Sequence, residues 1–274
     1  MSFRKVAVAA AGCGALTALS ITANDGWPEV QYDLQKRFSP GSAKKRKRKL
    51  VVLGSGWGAL SLLQRLDPDQ VDVTVVSPRS FFFYTPLLAG CSTGTVASTS
   101  ITESMRWHLS RFSGSQRGTA FLQAHAEVVD TDKKQVRAIS VGPEGTTTTT
   151  TLDYDQLVIA VGASVNTFGI PGVNEYATMM KEVEDSLSVQ RQILEKLEFA
   201  NSLLSSNAPA SEVDRALHWV VVGGGPTGVE LTAELCDFVN GDVKDYFPSL
   251  FPRVKISLIE GSPKVLGTFS PHVR

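Results

Sequence analysis

Residues 50–66 read Leu50-Val51-Val52-Leu53-Gly54-Ser55-Gly56-Trp57-Gly58-Ala59-Leu60-Ser61-Leu62-Leu63-Gln64-Arg65-Leu66. The first four are a short apolar run, the pattern of a buried parallel strand. Leu60, Leu62, Leu63 and Leu66 have helical spacing. Between strand and helix lies a glycine loop holding Gly54, Gly56, Trp57 and Gly58. Gly54 permits a tight turn, and Gly56 lets the backbone approach a pyrophosphate. Ala59 stands at the position of the third glycine, small enough for close helix–strand packing. The helix N-terminus offers free N–H groups and the positive end of its dipole to phosphates. Val71 to Val76 is the second strand that a βαβ unit requires. An acid normally ends that strand and holds ribose hydroxyls. Here the residues are Ser77, Pro78 and Arg79, which argues against a simple NAD site. Serine still hydrogen-bonds a hydroxyl, and Arg79 can reach a phosphate or stack on an adenine face. A Rossmann-like domain without nucleotide is the structural alternative.

The pattern recurs. Leu217 to Val222 reads as a strand, followed by Gly223-Gly224-Gly225-Pro226-Thr227-Gly228-Val229-Glu230 and a helix through Leu235 and Phe238. All three glycines of the fingerprint are present as Gly223, Gly225 and Gly228, with Pro226 and Thr227 opening the helix. Val254 to Ile259 is the next strand and ends at Glu260. A carboxylate there accepts hydrogen bonds from both ribose hydroxyls of NADH and repels the extra phosphate of NADPH. The gap from Gly228 to Glu260 exceeds the usual spacing, so Asp242 to Pro252 reads as an insertion. Glu230 is placed on the first turn of the second helix, where the dipole favours a carboxylate. Ahead of this unit, Asp185 or Ser186 can cap a helix to about Leu204, with Leu187, Ile193, Leu194, Leu197 and Leu204 on its apolar face.

Between the two units the pattern is β-rich. Phe121 to Asp130 pairs with Lys133 to Val141 across an Asp-Lys-Lys turn, and Leu152 to Val161 is a third strand. Gly142 to Thr151 contains six consecutive threonines and reads as a low-complexity loop or the start of a strand. The return strand ends in the small residues Ala160, Gly162 and Ala163, so a ligand can pass close by.

Several of these segments resemble one family. Val75-Val76-Ser77-Pro78-Arg79, Phe81 to Phe83, Thr85-Pro86-Leu87-Leu88 and Gly94-Thr95-Val96 look like the FAD-binding segment of type II NADH dehydrogenases, single-chain, non-proton-pumping NADH:quinone oxidoreductases. Asn166-Thr167-Phe168-Gly169-Ile170-Pro171-Gly172-Val173 is similar to the family's linker. The resemblance implies that Thr85, Pro86 and Leu87 run beside the flavin ring. It implies that Ala160 and Gly162 touch the FAD pyrophosphate. It also places Glu230 near the nicotinamide and the reactive edge of the flavin, as the catalytic residue. The fold class is therefore α/β: two FAD/NAD(P)-binding Rossmann-like domains, a parallel sheet with a β-meander crossover, the second domain truncated. The expected organisation is a basic leader over 1–48, the first part of an FAD-binding domain over 49–165, and an NADH-binding domain over 166–274.

Bulk properties set the limits. The 274 residues suffice for two domains, and the apolar and charged fractions are those of a soluble globular protein. Residues 1–49 hold 10 Lys and Arg against 3 Asp and Glu, and the remainder 17 against 24. The zero net charge thus hides a basic leader and an acidic body. Val6 to Ile21 is uncharged but short for a membrane span, which needs about 20 residues. It suits organelle targeting with a marginal anchor, or a secretory signal. With the resemblance, the expected location is the mitochondrial inner membrane, peripherally, with plastid or secretory pathway as alternatives. Lys44 to Lys49 has no interleaved aromatics, so a solvated linker or contact with anionic lipid is read there, not nucleic acid. No cysteine pair or cysteine–histidine set has metal spacing, so no metal is expected.

The chemistry expected is a relay. NADH reduces FAD, and the flavin passes electrons to a second acceptor, which the resemblance implies is a quinone. A redox dithiol is absent, which excludes a disulfide reductase. Cys91 leaves open a single-cysteine NADH oxidase or peroxidase. Relatives of the resembled family are longer, so a fragment or non-catalytic nucleotide scaffold is the second alternative. Peripheral membrane contact and a homodimer are expectations for a full-length form.

Overall fold

Four consecutive apolar residues, Leu50 to Leu53, form the centre of the first sheet. In the computed structural model they lie in strand β3, Arg48–Leu53, each 4% exposed or less. The structure describes residues 46–112, 121–267, 269, 270 and 272. It also describes the backbone of two short antiparallel strands in the leader, β1 Lys5–Val8 and β2 Leu19–Thr22. The targeting and anchor reading of the leader otherwise lies outside the described residues.

Helix α1, Trp57–Arg65, follows the glycine loop and buries Ala59, Leu60 and Leu63 against the sheet. Strand β4, Val71–Ser77, then pairs parallel with β3, completing the expected βαβ unit. Short antiparallel strands β5, Phe81–Phe83, and β6, Thr102–Ser104, flank helix α2, Leu88–Thr93. Helix α3, Met105–Leu109, precedes β7, Phe121–Gln123, which joins β4. The return strand β11, Gln156–Ile159, pairs parallel with β3 from the other side, giving the order β11-β3-β4-β7. Successive residues of β3 face opposite ways. Leu50 and Val52 pack on α1 and α3 with Leu60, Leu63 and Met105. Val51 and Leu53 pack on the opposite layer with Val136 and Ala138. Both faces are covered, which is why the run is apolar throughout.

That opposite layer is the antiparallel meander β8 His125–Asp130, β9 Gln135–Val141 and β10 Thr147–Asp153. The turn between β8 and β9 holds Lys134 at φ 52°. One open alternative is decided and one expectation corrected here. The threonine run is strand, paired with β9 from Thr147↔Val141 to Asp153↔Gln135. Its β-branched side chains favour the extended backbone, and most point to solvent at a sheet edge. Leu152 to Val161 is not one strand. Leu152 and Asp153 end β10, the chain turns at Tyr154 and Asp155, and β11 begins at Gln156. The stretch 121–130 is likewise divided between the parallel sheet and the meander.

The second unit is built on β12, His218–Val222, and β13, Lys255–Ile259, which pair parallel. Helices α4 Val183–Ser205, α5 Ala210–Ala216 and α6 Pro226–Phe238 surround them. The α4 cap is Glu182, not Asp185. Glu182 and Asp185 form a reciprocal capping box, Asp185 accepting from the Glu182 amide at 2.8 Å. The buried face of α4 is Val183, Ser186, Ile193, Leu197 and Ala200. Leu187 and Leu194, read as core, are exposed. Within the insertion at 242–252, Val243, which ends a π-helical turn at Val239–Val243, and Leu250 are fully buried in the second core. Val221 faces this core, while Val220, Val222 and Ile259 on the sheet are exposed.

The basic run staples the start of β3. The Lys49 amide donates to Asp155 at 2.7 Å, and its ammonium lies 3.7 Å from Asp153. Lys47 donates to the Pro68 carbonyl at 2.7 Å. These groups are exposed, so the ion pairs contribute little to stability.

Leu197 is fully buried and Leu194 is 46% exposed, one turn apart on α4. Leu197→Ala is expected to destabilise the chain by about 2–5 kcal/mol. Leu194→Ala should cost under about 1 kcal/mol. Denaturant unfolding of the two variants measures both, and equal losses would contradict this assignment of the core face.

Candidate functional site

Each glycine loop is held by one backbone bond from the next strand. The Gly54 amide donates to the Val76 carbonyl at 2.8 Å, and the Gly223 amide to the Ile259 carbonyl at 2.8 Å. Both glycines sit at φ 107°, a backbone that a side chain rarely adopts. At Gly54 space is also closed, because a Cβ would lie 2.2 Å from the Ala160 carbonyl oxygen. Ala160 in turn donates to the Leu53 carbonyl at 2.8 Å. The first loop and the end of the return strand are therefore in backbone contact, and Gly162 follows exposed at the same place.

Gly56 and Gly225 cap α1 and α6, with extended backbone and no side chain bonding the helix amides. A Cβ at either would meet nothing within 4 Å. Neither helix has an acid in its first turn. Each loop thus presents open backbone and uncapped N–H groups, the features of an anion site. The third positions differ. A Cβ at Gly228 would lie 1.9 Å from the Gly223 carbonyl oxygen, whereas Ala59 is fully buried with its methyl accommodated.

Around the first loop, Trp57 donates from Nε1 to Thr85 Oγ1 at 3.1 Å and stands edge-on to Phe82 and Tyr84. Trp57 is thereby joined to Thr85, Pro86 and Leu87, all exposed. Gly58 is exposed beside them, and a Cβ there would lie 3.6 Å from the Ala160 Cβ, an ordinary contact. The residues at the acid position behave differently from expectation. Ser77 is buried, its hydroxyl 2.9 Å from that of Ser55, and it accepts from the Arg79 amide at 3.3 Å. Ser55 can donate onward to the Phe81 carbonyl, so the Ser77 proton is taken up within the protein. Arg79 is also turned inward. Its guanidinium pairs with Glu182, donates to the Phe81 carbonyl at 3.0 Å and lies 4.6 Å above the Phe83 ring. A planar cation held by carboxylate and aromatic face is not free to stack on an adenine. Pro78 remains exposed between them.

Around the second loop, Glu260 folds onto the glycines. Its Oε2 accepts from the Gly224 amide at 2.6 Å and its Oε1 from the Ser262 amide at 2.7 Å. These bonds, Ser262 first and then Gly224, hold the carboxyl below the ordinary carboxylate range. Two amides leave lone-pair capacity on both oxygens for hydroxyl donors. Pro226 and Thr227 are exposed at the helix start. Glu230 is also exposed, but it is the fifth residue of α6, beyond the first turn where the sequence reading put it. The dipole argument therefore does not explain this glutamate.

Cys91 does not suit thiol chemistry. It is 1% exposed within α2, and burial pushes its thiol pKa up. Redox cysteines need the thiolate and access to solvent, so the single-cysteine oxidase or peroxidase reading is set aside. One residue escaped the sequence reading. Glu234, one turn after Glu230, accepts from Thr95 Oγ1 at 3.2 Å and lies 3.4 Å from Thr93 Oγ1. The Glu-x-x-x-Glu spacing was visible, but nothing in the sequence pairs it with the threonines.

The pyridine nucleotide-disulphide oxidoreductase family matches residues 48–274. External NADH-ubiquinone oxidoreductase 2, mitochondrial, of Saccharomyces cerevisiae is 41% identical over 249 residues, covering 88% of this chain and 44% of the yeast protein. External alternative NAD(P)H-ubiquinone oxidoreductase B4, mitochondrial, of Arabidopsis thaliana is 40% identical over 232 residues, covering 83% and 38%. Among solved structures, NDH2 from Plasmodium falciparum in complex with NADH superposes with a TM-score of 0.73 at 39% identity, covering 83% of this chain and 44% of that one. The chain spans less than half the length of these relatives. The fold and the resemblance read from the sequence are borne out by relatives that are NADH-ubiquinone oxidoreductases, and the chain belongs to the pyridine nucleotide-disulphide oxidoreductase family.

Proposed function

We propose that this chain carries the FAD-binding and NADH-binding parts of a non-electrogenic NADH dehydrogenase that passes electrons to a quinone. The observation that carries this is the pair of open, uncapped helix N-termini on one chain, at Gly56 and Gly225. Residues 49–165 are assigned to FAD and 166–274 to NADH. The residues fit such ligands. Gly56 and Gly225 leave space for a diphosphate, and Ala160 and Gly162 line the mouth of the first loop. When bound, the flavin supplies two-electron chemistry, accepting hydride from NADH.

The chain's own groups bind, orient and shield. The α1 and α6 amides hold the diphosphates, Trp57 fixes Thr85 at the start of the exposed Thr85–Leu87 stretch, and Glu260 receives the ribose hydroxyls. Glu230 is assigned to the nicotinamide side. The relatives' names support ubiquinone as acceptor and mitochondria as location. Peripheral membrane contact and a homodimer belong to the proposal for a longer form. A nucleotide-binding scaffold without turnover is the competing reading, favoured by the inward-turned Ser77 and Arg79.

The test is direct. Chain purified with FAD should show a flavin spectrum that NADH bleaches anaerobically; flavin without bleaching would favour the scaffold. The relatives' names include both NADH and NAD(P)H, so Glu260 decides the preference here. Wild type should favour NADH over NADPH by roughly tenfold or more, and Glu260→Ala should narrow that ratio. Equal use of both cofactors by wild type would sink the assignment.

The pKa direction adds a second expectation. Glu260 is depressed when folded, so its contribution is present above the ordinary carboxylate range and is lost as pH falls through the lowered value. The stability gap between wild type and Glu260→Gln should therefore shrink on acidification from pH ~7 to below ~4. A gap that widens would contradict the loop bonds.

A further inference from the structure

Helix α2 belongs by chain order to the first unit but packs on the second. All six of its residues, Leu88 to Thr93, are buried. It contacts both α4 and α6, and Ala89 is part of the second core. Gly94 ends it at φ 82°, where a Cβ would lie 2.6 Å from Gln190 Nε2 on α4. On the α6 side a Cβ at Gly90 would lie 3.7 Å from Glu234 Oε1. The small residues of Leu-Ala-Gly-Cys-Ser-Thr thus let α2 wedge between the two helices.

Glu234 closes that wedge. Thr93 and Thr95 hydroxyls lie 2.9 Å apart, and both are within reach of the same carboxylate oxygen. Thr93 also lies 3.1 Å from the Gly90 carbonyl. Each hydroxyl has one proton. Thr95 donates to Glu234, and Thr93 divides its proton among Glu234, Thr95 and Gly90. The carboxylate is the one acceptor in this set supplied by α6. It therefore ties the C-terminal end of α2 to the second unit.

We propose that Glu234 is a positioning residue, its carboxylate latching α2 to α6 and so setting the spacing between the Thr85–Leu87 stretch and Glu230. The inference rests on the proposed assignment of Thr85–Leu87 to the flavin and Glu230 to the nicotinamide side. Two connections transmit the position. The short 3-10 turn Thr85–Leu87 runs directly into α2. Glu230 and Glu234 are four apart on α6 and share a face.

The test uses the full chain with Glu234→Ala, Glu234→Gln and Thr93→Val/Thr95→Val. Amide hydrogen exchange of residues 88–96 is read first, without cofactor. Glu234→Ala should speed exchange there by roughly tenfold, and Glu234→Gln, which keeps an acceptor oxygen, should restore most of the protection. In flavin-loaded chain, Glu234→Ala should slow anaerobic bleaching at saturating NADH by roughly tenfold to hundredfold. The NADH concentration for half-maximal rate should change by less than about threefold. The threonine variants should give the same phenotype and add little when combined with Glu234→Ala. Unchanged exchange in Glu234→Ala, or additive effects of the two sets, overturns the latch. Faster exchange with an unchanged bleaching rate overturns its role in spacing. Wild type that takes up no flavin, or is not bleached, overturns the function reading; in that case the exchange measurement alone decides the latch.

Discussion

The backbone contact between each glycine loop and the strand beside it is what the rest of the structure depends on. Gly54 and Gly223 reach their neighbouring strands through the same amide-to-carbonyl bond, at the same φ of 107°. After that turn each helix begins at a glycine cap, with no side chain bonded to its first amides. Apolar strands on one side and a leucine-faced helix on the other then hold the turn. The open backbone at Gly56 and Gly225 is a consequence: nothing of the protein is packed where a diphosphate can lie. The two loops are copies in geometry but differ in detail. Gly228 is forced by the nearness of the Gly223 carbonyl, while Ala59 shows that the first loop has slightly more room.

The two units are joined by more than a linker. A six-residue helix of small side chains leaves the first sheet and is buried among the helices of the second. Arg79 and Glu182 make another tie between the end of β4 and the cap of α4. The same contacts remove Arg79 and Cys91 from the groups free to meet a ligand, and Ser55 does the same to Ser77. On the other loop, Glu260 remains a carboxylate with unused acceptor capacity. In physical terms the second loop is the more completely furnished of the two for a ribose.

Much of this was legible in the residues. Strand–glycine–helix order, the parallel pairing and the position of Glu260 follow from periodicity and the geometry of short turns. What was not legible depends on which face a neighbour covers. Leu187 and Leu194 have the spacing of a core stripe, but the core lies on the side of Ile193 and Leu197. The threonine tract has no periodicity to read, yet it is a strand because β9 offers it a partner. Ser77 was expected to face a ribose because its place in the motif is right. Its inward turn depends on Ser55, a loop residue that no motif singles out. Glu234 was missed for the same reason, since its partners are about 140 residues away in sequence.

The two loops are assigned to two different dinucleotides. Gly56→Val and Gly225→Val test this assignment most directly, because both positions have extended backbone and empty surroundings, so the added side chain fills ligand space without disturbing the packing. Equilibrium binding of FAD and of NADH is measured on each folded variant. Gly56→Val is expected to lose FAD and keep NADH, and Gly225→Val to do the reverse. Variants that both bind as wild type does, or a single variant that loses both ligands while remaining folded, would contradict it.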